Sequence, residues 1–84
     1  MYDFHVYQDV SMCQLTPQTN AAREWVEENV ELEPWQRLGN AIGVEIRCIQ
    51  EISAAILEAG LSIEKDGMEM FIGNDGDLYL RKAA

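Results

Sequence analysis

The longest stretch with one hydrophobic period runs from residue 43 to residue 60 and ends on Gly60. At 100° per residue its apolar positions fall within an arc of about 140°, as expected of a helix that packs one face against a core. These positions are Val44, Cys48, Ile49, Ile52, Ala55, Ile56 and Ala59. Because Ile46 and Leu57 lie outside the arc, the pattern predicts a central helix, starting near Ala41, that is covered on two sides.

The N-terminal part of the chain predicts a strand followed by a helix. Residues 2–7 alternate apolar and polar side chains, which is typical of a half-buried strand, and residues 12–15 form a second short extended piece. Thr16 and Pro17 predict a helix start, because threonine caps a helix and the N–H that proline lacks is not needed at the first helical position. A helix over 17–30 follows. Its apolar side consists of Ala21, Ala22, Trp25, Val26 and Val30.

The segment 31–43 predicts a loop or a short helical turn over 35–38. Pro34 disfavours the helical conformation for the residue before it. Gly39 and Gly43 would each cost about 1 kcal/mol in the interior of a helix. The alternative is one long helix that opens at Pro34 and continues into the central helix.

The remainder of the chain changes to a period of two and predicts short strands separated by glycine-containing turns. The best-supported element is a terminal hairpin that pairs 69–72 with 78–81. In this hairpin Leu78 and Leu80 share one face and Tyr79 lies on the other.

Together these elements predict an α+β fold in which two helices pack on a small, mainly antiparallel sheet. The sheet would consist of the N-terminal strand and the C-terminal β-hairpin. The chain has 84 residues, which is the size of a single small domain, so we expect one domain over 1–84.

The net charge of −9 comes from 15 acidic and 6 basic residues. This balance argues against direct nucleic-acid binding, which needs lysine and arginine on phosphates, and against anionic membrane surfaces. Apolar runs are too short for a membrane span, and the N-terminus has no signal-peptide pattern. We therefore expect a cytoplasmic protein, and its charge permits attraction to a basic partner protein.

The chain carries no pattern that indicates a reaction. Cys13 and Cys48 are far apart and there is one histidine, which is too few ligands for a zinc site, so we expect reduced structural thiols. His5 with Asp3 or Asp9 is the nearest candidate for acid–base chemistry. The run 74–77 resembles the start of a calcium loop, but its ligand spacing is wrong for an EF-hand. We expect no catalytic residue, no cofactor and no metal, and therefore not an enzyme.

Six residues are candidates for partner binding: Glu24, Glu27, Glu28, Glu31, Trp35 and Glu45. The first four share one face of the predicted first helix, where they form either a solvated face or a surface for a basic partner. Trp35, in a segment flanked by glycine, is a candidate interface anchor.

Glu45 falls in the middle of the apolar arc of the central helix, where an unpaired carboxylate would be costly. It is either a first-turn residue favoured by the helix dipole, a partner of Arg37 or of the region around Arg47, or a functional carboxylate in a pocket.

Two stretches carry a resemblance: LTPQTNAAREWVEENV, over 15–30, and GVEIRCIQEISAAILEAGLSI, over 43–63. Both resemble small uncharacterised proteins of proteobacterial genomes, prophages and plasmids, over about the middle half of the chain. The matching residues are Leu15, Thr16, Pro17, Thr19, Ala22, Trp25, Val44, Glu45, Ala59, Gly60 and Leu61. This resemblance implies a bacterial or phage accessory protein of the cytoplasm and transfers no catalytic residue.

The first functional hypothesis is a non-enzymatic interaction protein that forms a homodimer through the apolar surface of the central helix. The alternative is an acidic inhibitor, or nucleic-acid mimic, that binds a basic host protein. The third hypothesis is a small-ligand or enzymatic site around Glu45.

Overall fold

A computed structural model describes residues 1–82 and shows two helices on a seven-stranded mixed sheet. The strands are β1 (Phe4–Gln8), β2 (Met12–Pro17), β3 (Arg37–Leu38), β4 (Ala41–Glu45), β5 (Ile63–Lys65), β6 (Met68–Ile72) and β7 (Leu78–Lys82). The helices are α1 (Asn20–Asn29) and α2 (Ile46–Glu58), and a 3₁₀ turn covers Pro34–Gln36.

The strand order is β3-β4-β2-β1-β5-β6-β7, with β1 at the centre. The β1–β5 pair is parallel, whereas the other neighbouring strands run antiparallel. The predicted α+β class is therefore confirmed. The predicted sheet, which consisted of the N-terminal strand and the C-terminal hairpin, was too small, because β2, β3, β4 and β5 also belong to it. Of these, β3 and β4 were not recognised as strands.

Both helices pack on the face of the sheet that carries Phe4 and Val6, which we call the inner face. The buried core joins this face to Ala22 and Val26 of α1 and to Ile56 of α2. Phe4 also meets the Trp25 ring edge to face, with the ring centroids 6.1 Å apart. The alternation predicted for the N-terminal strand is confirmed at Phe4 and Val6, which are 0% and 1% exposed.

The prediction that the central helix starts near Ala41 was wrong, because Ala41–Glu45 is strand β4 and pairs with β2. A short apolar run fits a strand or a buried helix equally well. Here the segment is a strand because it pairs with β2. Gly43 leaves room for the Met12 side chain, because a Cβ at residue 43 would lie 2.9 Å from Met12 Sδ.

The buried stripe of α2 is consequently rotated from the predicted one. Ser53 and Ile56 are buried, whereas Ala55 and Ala59, both predicted to face the core, are exposed. The predicted stop at Gly60 is confirmed. Its φ is +86°, and Leu61 N donates to Ile56 O at 3.2 Å, which satisfies an end carbonyl of the helix.

The first helix begins at Asn20 rather than at Pro17. Pro17 ends β2 opposite Phe4, and Thr19 is the cap, its Oγ1 accepting a hydrogen bond from Ala22 N at 3.1 Å. The sequence offers threonine at both 16 and 19, and pairing of β2 with β1 through Pro17 selects the second.

The short turn predicted in the segment before β4 is present as the 3₁₀ turn Pro34–Gln36. The alternative prediction of one long helix starting at Pro34 was wrong. The C-terminal hairpin is confirmed in position and register, with Glu69 opposite Arg81 and Ile72 opposite Leu78.

Candidate functional site

Strand β7 forms one edge of the sheet, and within residues 1–82 it pairs with β6 alone. Its other side leaves backbone N–H and C=O groups open to a further strand. Tyr79 and Leu80 are 43% and 39% exposed, a large exposure for apolar residues on an edge.

Several contacts hold Tyr79 and Arg81 on the face opposite the helices. Tyr79 Oη donates to Asp75 Oδ2, and the Phe71 and Tyr79 rings lie 5.8 Å apart. Arg81 Nε donates to Glu69 Oε1 at 3.3 Å, with its guanidinium 4.5 Å from the centroid of the Phe71 ring. The hydrogen bond from Tyr79 lowers the pKa of the Asp75 carboxyl and raises the pKa of the Tyr79 hydroxyl. The side chains of β7 on this face are therefore pre-ordered.

A cavity of about 310 Å³ lies behind β7, between α2 and the inner face of the sheet. Its buried floor is formed by Val6, Cys13, Ser53 and Met70. The exposed residues Gln8, Ile46, Gln50, Tyr79 and Leu80 lie around its opening. Helix α2, which forms one side of the cavity, contacts β4, β2, β5 and β6.

The polar residues that line this cavity include Ser53, Cys13 and Lys65. Ser53 is 1% exposed, and its Oγ has no hydrogen-bond partner within residues 1–82. Burial raises the pKa of the Cys13 thiol, and the nearby charge of Lys65 opposes that rise. Lys65 Nζ donates to Gln8 Oε1 at 2.9 Å.

His5 contacts neither Asp3 nor Asp9, the two carboxylates that were its nearest candidate partners by residue type. His5 Nδ1 instead lies 3.2 Å from Glu64 Oε1, across the parallel β1–β5 pair. Asp3 is engaged elsewhere, accepting hydrogen bonds from Thr19 Oγ1 and from Ser62. The parallel pairing decides this contact, and no local pattern indicates it.

The glutamate row does not lie on one helix as predicted. Glu24, Glu27 and Glu28 are exposed on α1, whereas Glu31 lies beyond its end. Glu27 Oε1 is 3.9 Å from Arg37 Nη2, a long contact between exposed groups. Trp35 is 51% exposed on the 3₁₀ turn.

Glu45 does not lie in an apolar arc, because it ends β4 and precedes α2. Its carboxylate is half exposed and accepts a hydrogen bond from Arg47 Nε at 2.7 Å. Of the placements considered from the sequence, pairing with Arg47 is the one observed, although on the surface and not inside the protein. Glu45 does not line the cavity behind β7.

Sequence reasoning did not identify the cavity or its polar groups. One signal was available, since Ser53 is a polar residue next to Ile49, Ile52 and Ile56 in a strongly apolar helix. The rotation that buries it could not be foreseen while Val44 was assigned to the helix.

Within residues 1–82, no cluster of three His, Cys, Asp or Glu side chains could hold a metal ion. No helix in this part of the chain has the length and apolarity to cross a membrane. Comparisons with protein-family models, curated proteins and solved structures found no match. The resemblance to proteobacterial and prophage proteins therefore stays a prediction.

Proposed function

We propose that this protein is a non-enzymatic interaction protein that works as a homodimer, in which the β7 strands of two copies pair antiparallel about a two-fold axis. The single observation that carries this proposal is the self-complementary order of residues along the open edge. From Asp77 to Arg81 the chain reads acid, leucine, tyrosine, leucine, base.

In the register centred on Tyr79, every position of this segment meets a suitable partner. Asp77 of one copy faces Arg81 of the other, Leu78 faces Leu80, and Tyr79 faces Tyr79. Opposite charges, apolar pairs and aromatic pairs each stabilise neighbouring strands by roughly 0.2–1 kcal/mol. An isologous contact of this kind closes after two copies and leaves no further edge for growth at β7.

The dimer uses β7 in place of the surface of α2 that the sequence indicated. Ile49, Ile52 and Leu57 of α2 pack against the protein's own core, and so they leave little apolar surface for a partner. Pairing of β7 instead covers Leu80 and Tyr79, which are exposed in the single chain.

The interface is small, and we expect a Kd in the micromolar range, about 1–100 μM, typical of contacts at the low end of interface size. Each copy carries a net charge of −9, so the two copies repel one another at long range. Because salt screens this repulsion, we expect the dimer to be as strong or stronger at high ionic strength.

The test is charge reversal within the Asp77–Arg81 pair, measured by sedimentation equilibrium. Asp77→Arg alone and Arg81→Asp alone each put like charges opposite each other, and we expect each variant to be monomeric. A mixture of the two variants restores both opposite-charge contacts, so it should form a heterodimer. Arg47→Asp, an exposed change on α2, is the control and should dimerise as the unmodified protein does.

If the unmodified protein dimerises but the mixture of the two variants stays monomeric, a different surface forms the dimer. A monomer at all concentrations up to about 1 mM would remove the proposal. Arg81→Asp also loses the contact with Glu69, so its folding is checked by circular dichroism before the comparison.

A second candidate function, binding of a basic protein, is favoured by the exposure of Glu24, Glu27 and Glu28 along α1. Among residues 1–82 these three carboxylates form one ion pair, the 3.9 Å contact between Glu27 and Arg37. This candidate makes the opposite prediction for salt, because attraction between an acidic and a basic surface weakens as ionic strength rises.

A further inference from the structure

A groove of about 380 Å³ separates the two helices, and we call it the α1–α2 groove. It is lined by residues of α1, of the segment that follows α1, and of α2: Trp25, Asn29, Val30, Glu31, Glu51, Ile52 and Ala55. Trp25 and Ile52 pack against the core but are only half-buried. The groove therefore leaves part of their apolar surface open to solvent.

Part of the apolar arc of α2 faces this groove instead of the core. At about 100° per residue, four residues lie within about 60° of one another: Cys48, Ile52, Ala55 and Ala59. Ala55 and Ala59 are exposed, and such short side chains let another helix approach to an axial distance of about 8–10 Å. Alone, this strip is too narrow for a dimer through α2, but α1 supplies a second wall with Trp25.

The charge beside the groove selects the kind of partner. Glu31 and Glu51 line the groove, and Glu28 lies one turn after Trp25 on the same side of α1. All three glutamates are exposed, and within residues 1–82 they form no ion pair. No lysine or arginine is among the described residues that line the groove. An apolar floor with an acidic rim is complementary to apolar side chains flanked by lysine or arginine.

The walls of the groove decide the conformation of the partner. Both walls are helices, whose backbone N–H and C=O groups bond within the helix itself. An extended peptide would find no backbone partners there, whereas it would find them at the open edge of β7. A helix satisfies its own backbone groups and needs only side-chain contacts, so a helix suits this groove.

We infer that the α1–α2 groove binds an amphipathic helix of a basic partner protein. The apolar side of that helix packs on Trp25 and Ile52, and its lysines or arginines pair with Glu31 and Glu51. The inference rests on the second candidate function, binding of a basic protein. It does not depend on the β7 dimer, because every residue that lines the groove belongs to one chain and none of them lies on β7.

The experiment uses a peptide of about 14 residues, made of leucine and lysine, with the leucines on one side of a helix. One control peptide has the same composition with the leucines spread around the helix, and a second has glutamate in place of lysine. Binding is measured on the Trp35→Phe variant, in which Trp25 is the only tryptophan, from the fluorescence of Trp25. We expect a blue shift of the emission and a Kd of about 10–100 μM for the helical peptide. The rearranged peptide should bind about tenfold more weakly, and the glutamate peptide should not bind.

Variants on α2 locate the bound peptide. Ala55→Arg places a long cationic side chain in the groove and should weaken binding of the helical peptide about tenfold or more. Gln50→Arg is the matched control, because it adds the same charge at an exposed position of α2 outside the groove. It should weaken binding about twofold at most. Circular dichroism checks that both variants are folded.

The acidic rim is tested by changing Glu31 and Glu51 together to glutamine. This change should weaken binding about fivefold to tenfold at about 50 mM salt and little at about 500 mM salt. The control changes Asp9 and Asp66 together to asparagine, which removes the same charge at exposed positions outside the groove. The control should weaken binding about twofold at most.

Four outcomes would overturn the inference. Equal affinity for the helical and the rearranged peptide would leave binding of basic proteins in place, as a response to charge, and would exclude recognition of a helix. Unchanged affinity in Ala55→Arg would mean that the peptide binds elsewhere. No binding up to about 1 mM would exclude the groove as a binding site. A shift of the Trp25 emission with protein concentration alone would mean that a second copy occupies the groove.

The same titration on Asp77→Arg, combined with Trp35→Phe, separates this inference from the β7 dimer. Residue 77 lies outside the groove, so the helical peptide should bind this variant within about twofold of the affinity for Trp35→Phe alone. Binding that persists there supports the groove whether or not the unmodified protein dimerises. Binding that is lost there would mean that the peptide recognises the β7 edge and would also overturn the inference.

Discussion

Thr19 Oγ1 donates a hydrogen bond of 2.7 Å to Asp3 Oδ1. Thr19 Oγ1 also accepts a hydrogen bond from Ala22 N at the start of α1. The other oxygen of Asp3 accepts from Ser62 N at 2.9 Å and from Ser62 Oγ at 3.1 Å. One carboxylate therefore ties the first strand to the cap of α1 and to the segment that follows α2.

These bonds predict a pH dependence of stability. The hydrogen bond from Thr19, followed by that from the Ser62 backbone, lowers the pKa of the Asp3 carboxyl from its ordinary value of 3.8. A lowered pKa in the folded state means that the stabilisation is present above pH 3.8 and is lost as the pH falls through the lowered pKa. Asp3→Asn should cost about 1–2 kcal/mol of unfolding free energy at pH 7 and less at pH 2.

The measurement is urea unfolding of the unmodified protein and of Asp3→Asn between pH 7 and pH 2. Asp9→Asn is the control, because the Asp9 carboxylate accepts only a local bond from Val10 N. A cost for Asp3→Asn that does not change with pH would contradict the assignment to the charged carboxylate.

A side chain at position 73 would conflict with Tyr79 on the edge strand β7. A Cβ at this position would lie 2.5 Å from Tyr79 Cε2 and 2.8 Å from Tyr79 Cδ2. Gly73→Ala should therefore displace the ring, destabilise the fold by about 1–3 kcal/mol and weaken the proposed β7 dimer. The check is a double-mutant cycle with Tyr79→Ala, in which the cost of Gly73→Ala should largely vanish. Additive costs in the double variant would exclude the clash.

The two cysteines should differ in reactivity. Cys13 is 0% exposed on the floor of the cavity and burial raises the pKa of its thiol, so little thiolate is available at neutral pH. Cys48 is half-buried on α2. We expect iodoacetamide at pH 8 to modify Cys48 at least about tenfold faster than Cys13. The two rates are measured by mass spectrometry of peptides. Equal rates would show that the cavity opens readily to solvent. In the Cys48→Ser variant only Cys13 remains, so the slow reaction can be measured alone.

The acidic surface of α1 can be tested by neutralising Glu24, Glu27, Glu28 and Glu31 together as glutamines. If the protein binds a basic partner through this surface, its affinity for poly-lysine should fall more than tenfold at 50 mM salt and little at 500 mM. A control variant neutralises four other exposed acids, Asp9, Glu33, Glu51 and Glu58, and so matches the change in net charge. The same loss in both variants would mean a response to net charge alone.

The sequence by itself determined the elements whose signals are local. Periodicity identified the first strand and most of α2, and the glycine at 60 ended that helix where the structure ends it. The terminal hairpin was predicted in register, because a turn with glycine between two alternating segments leaves few other pairings. Of the site, Tyr79 and Leu80 were assigned to opposite faces of the last strand from the same alternation.

Tertiary structure decided every feature that depends on pairing between distant segments. Residues 41–45 are apolar enough for a helix or a strand, and only β2 beside them makes them β4. That pairing moved the start of α2, rotated its buried stripe to Ser53 and moved Glu45 to the surface. The cavity follows from where α2 lies relative to β7, and Lys65 reaches it because β5 pairs in parallel with β1. The Lys65–Gln8 contact joins residues 57 positions apart, a separation at which hydrophobic periodicity carries no information.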